Sequence, residues 1–219
     1  MPKIRIVIIE SPNPIDLFDG RSEAKALKAT CNLMGHKAIS FFAKSKADFK
    51  SIINYLASSD SSHAERYPSL PLFLHISSHG NSGCVAFGND VVKWDELIEL
   101  LLPLLGNSSY EGKLALSISA CGSGDNSLSI HAKHALGRSA KVKMPSYIFS
   151  ILGDTVHWDD ALIGWSLLYH KISQVGIKDR DGIIDAIEKI QACTNVKFSY
   201  RRWCENKKKF LRGPPRKGG

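Results

Sequence analysis

Apolar positions along the 219-residue chain fall into short unbroken runs, separated by longer stretches with helical spacing. Lys3 to Ile9 passes quickly into a nearly all-apolar run, the pattern of a strand covered on both faces. "SPNPIDLFDG" follows and is expected as a loop, because its two prolines and one glycine interrupt regular elements. Apolar residues from Glu23 to Leu33 recur at helical intervals and stop at Gly35, after which "KAISFFA" returns to strand character. Ser45 and Asp48 make a capping-box pattern ahead of the amphipathic "FKSIINYL", and the polar "SSDSSHAERYPS" reads as a loop. Further along, the pattern predicts a strand over residues 70–77, a hairpin around "FGND" and a helix over 94–105. A strand over 114–119, a helix over 127–136, a strand over 146–152 and helices over 158–172 and 181–192 complete the series.

Apolar strands alternating with helices in this way predict an α/β protein, a three-layer sandwich around a mainly parallel sheet. Nothing in the composition forces a division, so one domain is expected over residues 1–205, followed by a basic flexible tail over 206–219. The formal charge of +8 is concentrated there: residues 201–219 hold eight Lys and Arg against one Glu, whereas the first 200 residues carry 21 basic and 20 acidic side chains. The body is close to neutral, so nucleic acid is expected as a partner only weakly, through the tail, whose simpler reading is a solvated extension. No apolar run approaches the roughly 20 residues of a membrane-spanning helix. Five cysteines without a Cys-x-x-Cys pair argue against a disulfide framework and a zinc ribbon, and point to reduced thiols in a cytosolic protein.

Two of the apolar runs end at a reactive side chain followed by glycine: "LFLHISSHG" at His79-Gly80 and "KLALSISACG" at Cys121-Gly122. In parallel sheets ligands bind where the carboxyl ends of strands and their loops converge, and both pairs are expected there. A thiol nucleophile needs a nearby imidazole as general base and acid, and backbone donors for the oxyanion of the tetrahedral intermediate. Glycine beside each would let another backbone approach closely. The helix over 127–136 would direct its positive end toward Cys121. Other readings are weaker. His75 and His79 are four residues apart but lack an acidic or cysteine ligand at fixed spacing, and His131 and His134 read as solvated, so no metal is expected. Trp94 and Trp158 read as core or cap residues. The chain has no Gly-x-Ser-x-Gly elbow, and "GSGDNS" lacks the lysine of a phosphate loop.

An apolar strand ending in His-Gly, then a second ending in Ala-Cys 42 residues on, resembles the caspase-like group of caspases, metacaspases, separase, gingipain and clostripain, nearest to its prokaryotic CHAT-like branch. The resemblance spans about residues 3–172 and is specific only around "HISSHG" and "SISACGSG". It implies a cysteine endopeptidase with Cys121 as nucleophile, His79 as general base and the N–H groups of Gly80 and Cys121 as the oxyanion hole. It implies no cofactor, a protein or peptide substrate, and an activating partner or signal. Where caspases carry Gln-Ala-Cys, this chain has Ser119-Ala120-Cys121, so aspartate specificity does not carry over. In that group the loop holding Asp154 borders the pocket for the residue preceding the cut, where a carboxylate would suit Arg or Lys; the alternative role of Asp154 is to cap the helix from Trp158. The competing function is a catalytically silent caspase-like interaction module.

Overall fold

The computed structural model describes residues 4–66, 70–124, 127–135, 142–153 and 155–213, apart from the side chains of 59–66, 127 and 135. Those residues form an α/β sandwich. The chain opens with β1 (Arg5–Ser11), α1 (Pro14–Phe18), α2 (Glu23–Leu33), β2 (Lys37–Phe42), α3 (Lys46–Arg66) and β3 (Leu72–Ser78). An antiparallel hairpin, β4 (Cys84–Phe87) and β5 (Asp90–Lys93), leads into α4 (Trp94–Leu105), β6 (Leu114–Ser119), α5 (Ser127–Ala135) and β7 (Tyr147–Leu152). The chain continues through α6 (Trp158–Val175), α7 (Arg180–Cys193), β8 (Lys197–Cys204) and β9 (Lys209–Arg212).

Seven of the strands make one sheet in the order β2-β1-β3-β6-β7-β8-β9, parallel from β2 to β7 and antiparallel at β8 and β9. β1, β3 and β6 are buried at every residue, which is why their sequences run apolar without alternation. Phe49 and Ile53 of α3, Leu97 and Leu101 of α4, and Leu128 and Ala132 of α5 cover one face. Leu27 of α2, Trp165 and Leu168 of α6, and Ile183 and Ile187 of α7 cover the other. Chain order reverses about β1, with β2 on one side and β3 on the other, so the carboxyl ends of β1 and β3 bound a crevice of the kind that receives ligands. Among the described residues no helix is long and apolar enough to cross a membrane.

Three segments differ from the sequence expectation. "SPNPIDLFDG" holds the short helix α1, because Pro14 sits in its first turn, where a missing N–H costs nothing, and the Asn13 side chain accepts from the Asp16 N–H at 2.8 Å. α3 runs on to Arg66, through most of the stretch expected as a polar loop. Residues 206–213, expected to begin a flexible tail, carry a turn and β9, which pairs with β8 from Arg201↔Arg212 to Cys204↔Lys209. Phe198 and Tyr200 of β8 are buried against α6 and α7, and Trp203 and Phe210 pack on the opposite face.

Candidate active site

β3 and β6 are neighbours in register, with Ser77 opposite Ser119. His79 and Cys121 each lie two residues beyond that pair, so they leave adjacent strands at the same level, where neighbouring chains run about 4.8 Å apart. The glycines then lock the two turns together. A Cβ on Gly80 would meet the Cys84 carbonyl oxygen at 2.8 Å, the Ala120 Cβ at 3.1 Å and the Cys121 carbonyl oxygen at 3.5 Å. Gly122 has φ +66°, a left-handed conformation, and a Cβ there would lie 2.6 Å from the Ser82 nitrogen and 2.7 Å from the Asn81 carbonyl carbon. The space of Gly122 is therefore taken by the backbone of the His79 turn, and that of Gly80 by the Cys84 carbonyl of its own turn together with the Ala120 side chain from the Cys121 turn.

Backbone bonds hold both turns from outside. Gly80 bridges Val85 through bonds made by the Asn81 and Ala86 N–H groups, so the bridge leaves the Gly80 N–H unused. Gly122 donates to the Gly153 carbonyl at 2.9 Å, tying the Cys121 turn to the loop after β7. The buried Trp94 donates its indole N–H to the Ser82 carbonyl at 2.7 Å and so anchors the His79 turn from α4.

His79 has partners that the sequence did not reveal. Its Nε2 lies 3.2 Å from the Asn13 Nδ2 and 3.4 Å from the Asp16 Oδ2. Asn13 caps α1 and Asp16 lies in its first turn, both across the crevice, and Asp16 is buried whereas the imidazole is half exposed. Trp158 closes the other flank, edge-on to the imidazole with ring centroids 6.1 Å apart. Asn13 and Asp16 were hidden because their segment reads as a loop around two prolines and a glycine, where Asn and Asp are ordinary turn residues.

A pocket of about 60 Å³ opens beside His79 and Cys121, walled by Ser119, Ile151, Val156 and Trp158, with Glu23 beneath. That volume has room for about four waters, enough for the end of one side chain and not for a whole small-molecule ligand. Glu23 is fully buried; its Oε1 lies 3.0 Å from the His75 Nε2, and its Oε2 accepts from the Ser77 hydroxyl at 2.7 Å and the Ser119 hydroxyl at 2.9 Å. Among the described residues these donors take three of the carboxylate's about four acceptor sites. His75 is thus a buried core residue, its Nδ1 held by the Tyr169 hydroxyl at 2.8 Å. Below it Glu10, also buried, accepts from the Ser22 hydroxyl and the Glu23 N–H, and burial raises its carboxyl above the usual range against the pull of those bonds.

Asp154 lies outside the described residues, though Ile151 and Val156 on either side of it line the pocket. His131 and His134 sit together on α5, their ring centroids 6.5 Å apart. Among the described residues no group of three or more His, Cys, Asp or Glu is arranged to hold a metal ion. No protein-family model matches the chain, and no curated protein matches it significantly.

Proposed function

We propose that the protein is a caspase-like cysteine endopeptidase. The observation that carries this reading is the interlock of the two glycine turns, which presents His79 and Cys121 at the rim of one pocket. Cys121 Sγ attacks the scissile carbonyl carbon while His79 takes the thiol proton. The oxyanion is met by the N–H groups of Gly80 and Cys121. Collapse of the intermediate expels the amine with the proton from His79 and leaves a thioester, which water hydrolyses with His79 again as base. With Nε2 protonated and facing the Asp16 carboxylate 3.4 Å away, Nδ1 is left for this exchange; the Asn13 Nδ2, a donor 3.2 Å from Nε2, pairs with that nitrogen in the other tautomer. Asn13 and Asp16 are positioning residues.

The substrate residue before the cut is read as Arg or Lys. Burying a cation costs several kcal/mol unless a carboxylate meets it, and Glu23 lies beneath the pocket. The loop of Asp154 borders the same pocket and would supply a second carboxylate. An activating partner fits a pocket this small, because a peptide must order the rim before its side chain is enclosed.

The test is labelling with a peptide acyloxymethyl ketone followed by mass mapping, run beside a fluorogenic panel ending in Arg, Lys, Asp or Leu. Modification of Cys121, turnover of basic peptides, and loss of turnover in Cys121→Ala and in His79→Ala are expected, the double variant being no worse than either single one. Labelling elsewhere, or none, would leave the silent interaction module as the better reading. Labelling of Cys121 with turnover after Asp would keep the peptidase and remove the basic pocket.

A further inference from the structure

The basic residues near the carboxyl terminus are arranged on a structured surface. Residues 197–213 hold Lys197, Arg201, Arg202, Lys207, Lys208, Lys209 and Arg212 against the single acid Glu205. They lie on β8, on β9 and on the turn between them, where Lys207, Lys208, Lys209 and Arg212 are all exposed. Strand alternation puts Arg201, Trp203, Phe210 and Arg212 on one face, because Arg201 is opposite Arg212 and Trp203 is opposite Phe210 in the ladder. The two aromatic rings meet edge to face with centroids 5.1 Å apart and are each only half-buried. α5 packs against β9 and brings exposed Lys133 and His134 in its last turn.

Two simpler explanations account for part of this. Lysine on an edge strand blocks unwanted strand pairing, which covers Lys209 and Arg212 on β9. It does not cover Arg201 and Arg202, since β8 is paired on both sides. A solubilising extension would have no reason to fold its charges into a sheet. Like charges directly opposite one another across an antiparallel pair are destabilising. Burial, and then the neighbouring Arg212, lower the Arg201 guanidinium below its ordinary range.

We propose that the β8–β9 hairpin is a docking surface for single-stranded nucleic acid. Phosphates provide the repeated negative charge that a row of Lys and Arg complements, and half-exposed rings beside guanidiniums provide stacking faces for bases. Trp203 and Phe210 already pack against the core on their inner sides, and an acidic peptide would use the charge without the ring surface that they leave exposed. β8 runs antiparallel to β7, so the hairpin turn lies at the sheet end opposite the His79 and Cys121 turns. A strand bound there leaves the pocket open, and the inference stands independently of the peptidase reading.

Fluorescence anisotropy of a short labelled single-stranded oligonucleotide of mixed sequence, titrated with the full chain from about 50 to 200 mM salt, tests this. Micromolar binding is expected, with the logarithm of affinity falling linearly with the logarithm of salt. Lys207→Gln with Lys209→Gln, at exposed positions in the turn and at the start of β9, should make that slope shallower by about 1.4, or about 0.7 for each phosphate no longer neutralised, and Arg212→Gln should do so by about 0.7. Cys121→Ala should bind as the parent does. The proposal is overturned by absence of binding at low salt, by hairpin variants that bind like the parent, or by removal of residues 214–219 alone abolishing binding. Polyglutamate that displaces the probe as well as unlabelled oligonucleotide does would overturn it in favour of an acidic protein partner, and tighter binding of duplex would overturn the single-strand assignment.

Discussion

Replacing Gly122 with alanine tests the interlock on which the site depends. Two costs are expected. Alanine at φ +66° costs about 1–2 kcal/mol, because its Cβ crowds the following carbonyl in the left-handed region. The same Cβ would stand 2.6 Å from the Ser82 nitrogen and 2.7 Å from the Asn81 carbonyl carbon, and backbone cannot rotate away as a side chain would. Overpacking of this kind costs about 1–3 kcal/mol, for a total of about 2–5 kcal/mol. Gly112 supplies the control, since it has φ +70° and nothing within 4 Å of its hypothetical Cβ. Gly112→Ala therefore incurs the conformational cost alone. Urea unfolding of parent and both variants should show Gly122→Ala less stable than Gly112→Ala by about 1–3 kcal/mol, seen as a lower midpoint at unchanged slope. Labelling of Cys121 should slow in Gly122→Ala only. Equal destabilisation by the two substitutions would refute the contact between the turns and, with it, the geometric basis for pairing His79 with Cys121.

Glu23→Ala should cost about 3–5 kcal/mol in the same unfolding assay, because it strands His75, Ser77 and Ser119 without their shared acceptor; a loss below about 1 kcal/mol would mean that the three find other partners. Glu10 holds its proton more tightly in the folded protein than in the unfolded chain, so its contribution to stability falls as pH rises from about 4.5 through the raised folded value. Parent stability measured against Glu10→Gln should decline over that window, and a rise would contradict the burial argument. Burial pushes the Cys31 thiol up to about 12, so iodoacetamide at mildly alkaline pH should modify Cys121 in the native protein and leave Cys31 unmodified until the chain unfolds. Asp16→Asn should lower kcat for a basic peptide more than it raises KM, since the carboxylate touches His79 and lies outside the pocket lining; an effect confined to KM would exclude the positioning role.

Central strands were legible in the sequence because burial on both faces leaves a mostly apolar run, as in "IRIVII" and "LALSIS", with Arg5 and two serines as the exceptions. The His79 and Cys121 turns were legible for the same reason, since glycine after a reactive residue at the end of such a run stands out against the strand. β8 was obscured because Arg201, Arg202 and the lysines after them mask the alternation of Phe198 and Tyr200, although aromatic residues at period two were a usable sign. α1 was obscured because a helix of five residues has no period to detect, and Pro14 reads as a breaker when it is in fact at a helix start. Glu23 had no local signature. Its hydrogen-bond partners lie 52, 54 and 96 residues away, and an acid in the first turn of α2 looks like a response to the helix dipole.

The placement of Glu23 links the core to the site. Buried ionisable groups cost more than well-packed hydrophobic residues of the same volume, so a domain selected for stability alone has little reason to keep Glu10, Glu23 and His75 between its layers. They lie at one place, under the carboxyl ends of β1 and β3 and against the start of α2. Through Oε2 the Glu23 carboxylate binds Ser77 on β3 and Ser119 on β6 at once, and each serine is two residues ahead of a motif side chain. One acceptor thereby fixes the level of both strands just before they open into the His79 and Cys121 turns, while the glycines fix the turns against each other above it. The two restraints act on opposite sides of the same pair of residues, so the relative position of imidazole and thiol is set by the sheet and α2 and owes little to the exposed loops around the pocket.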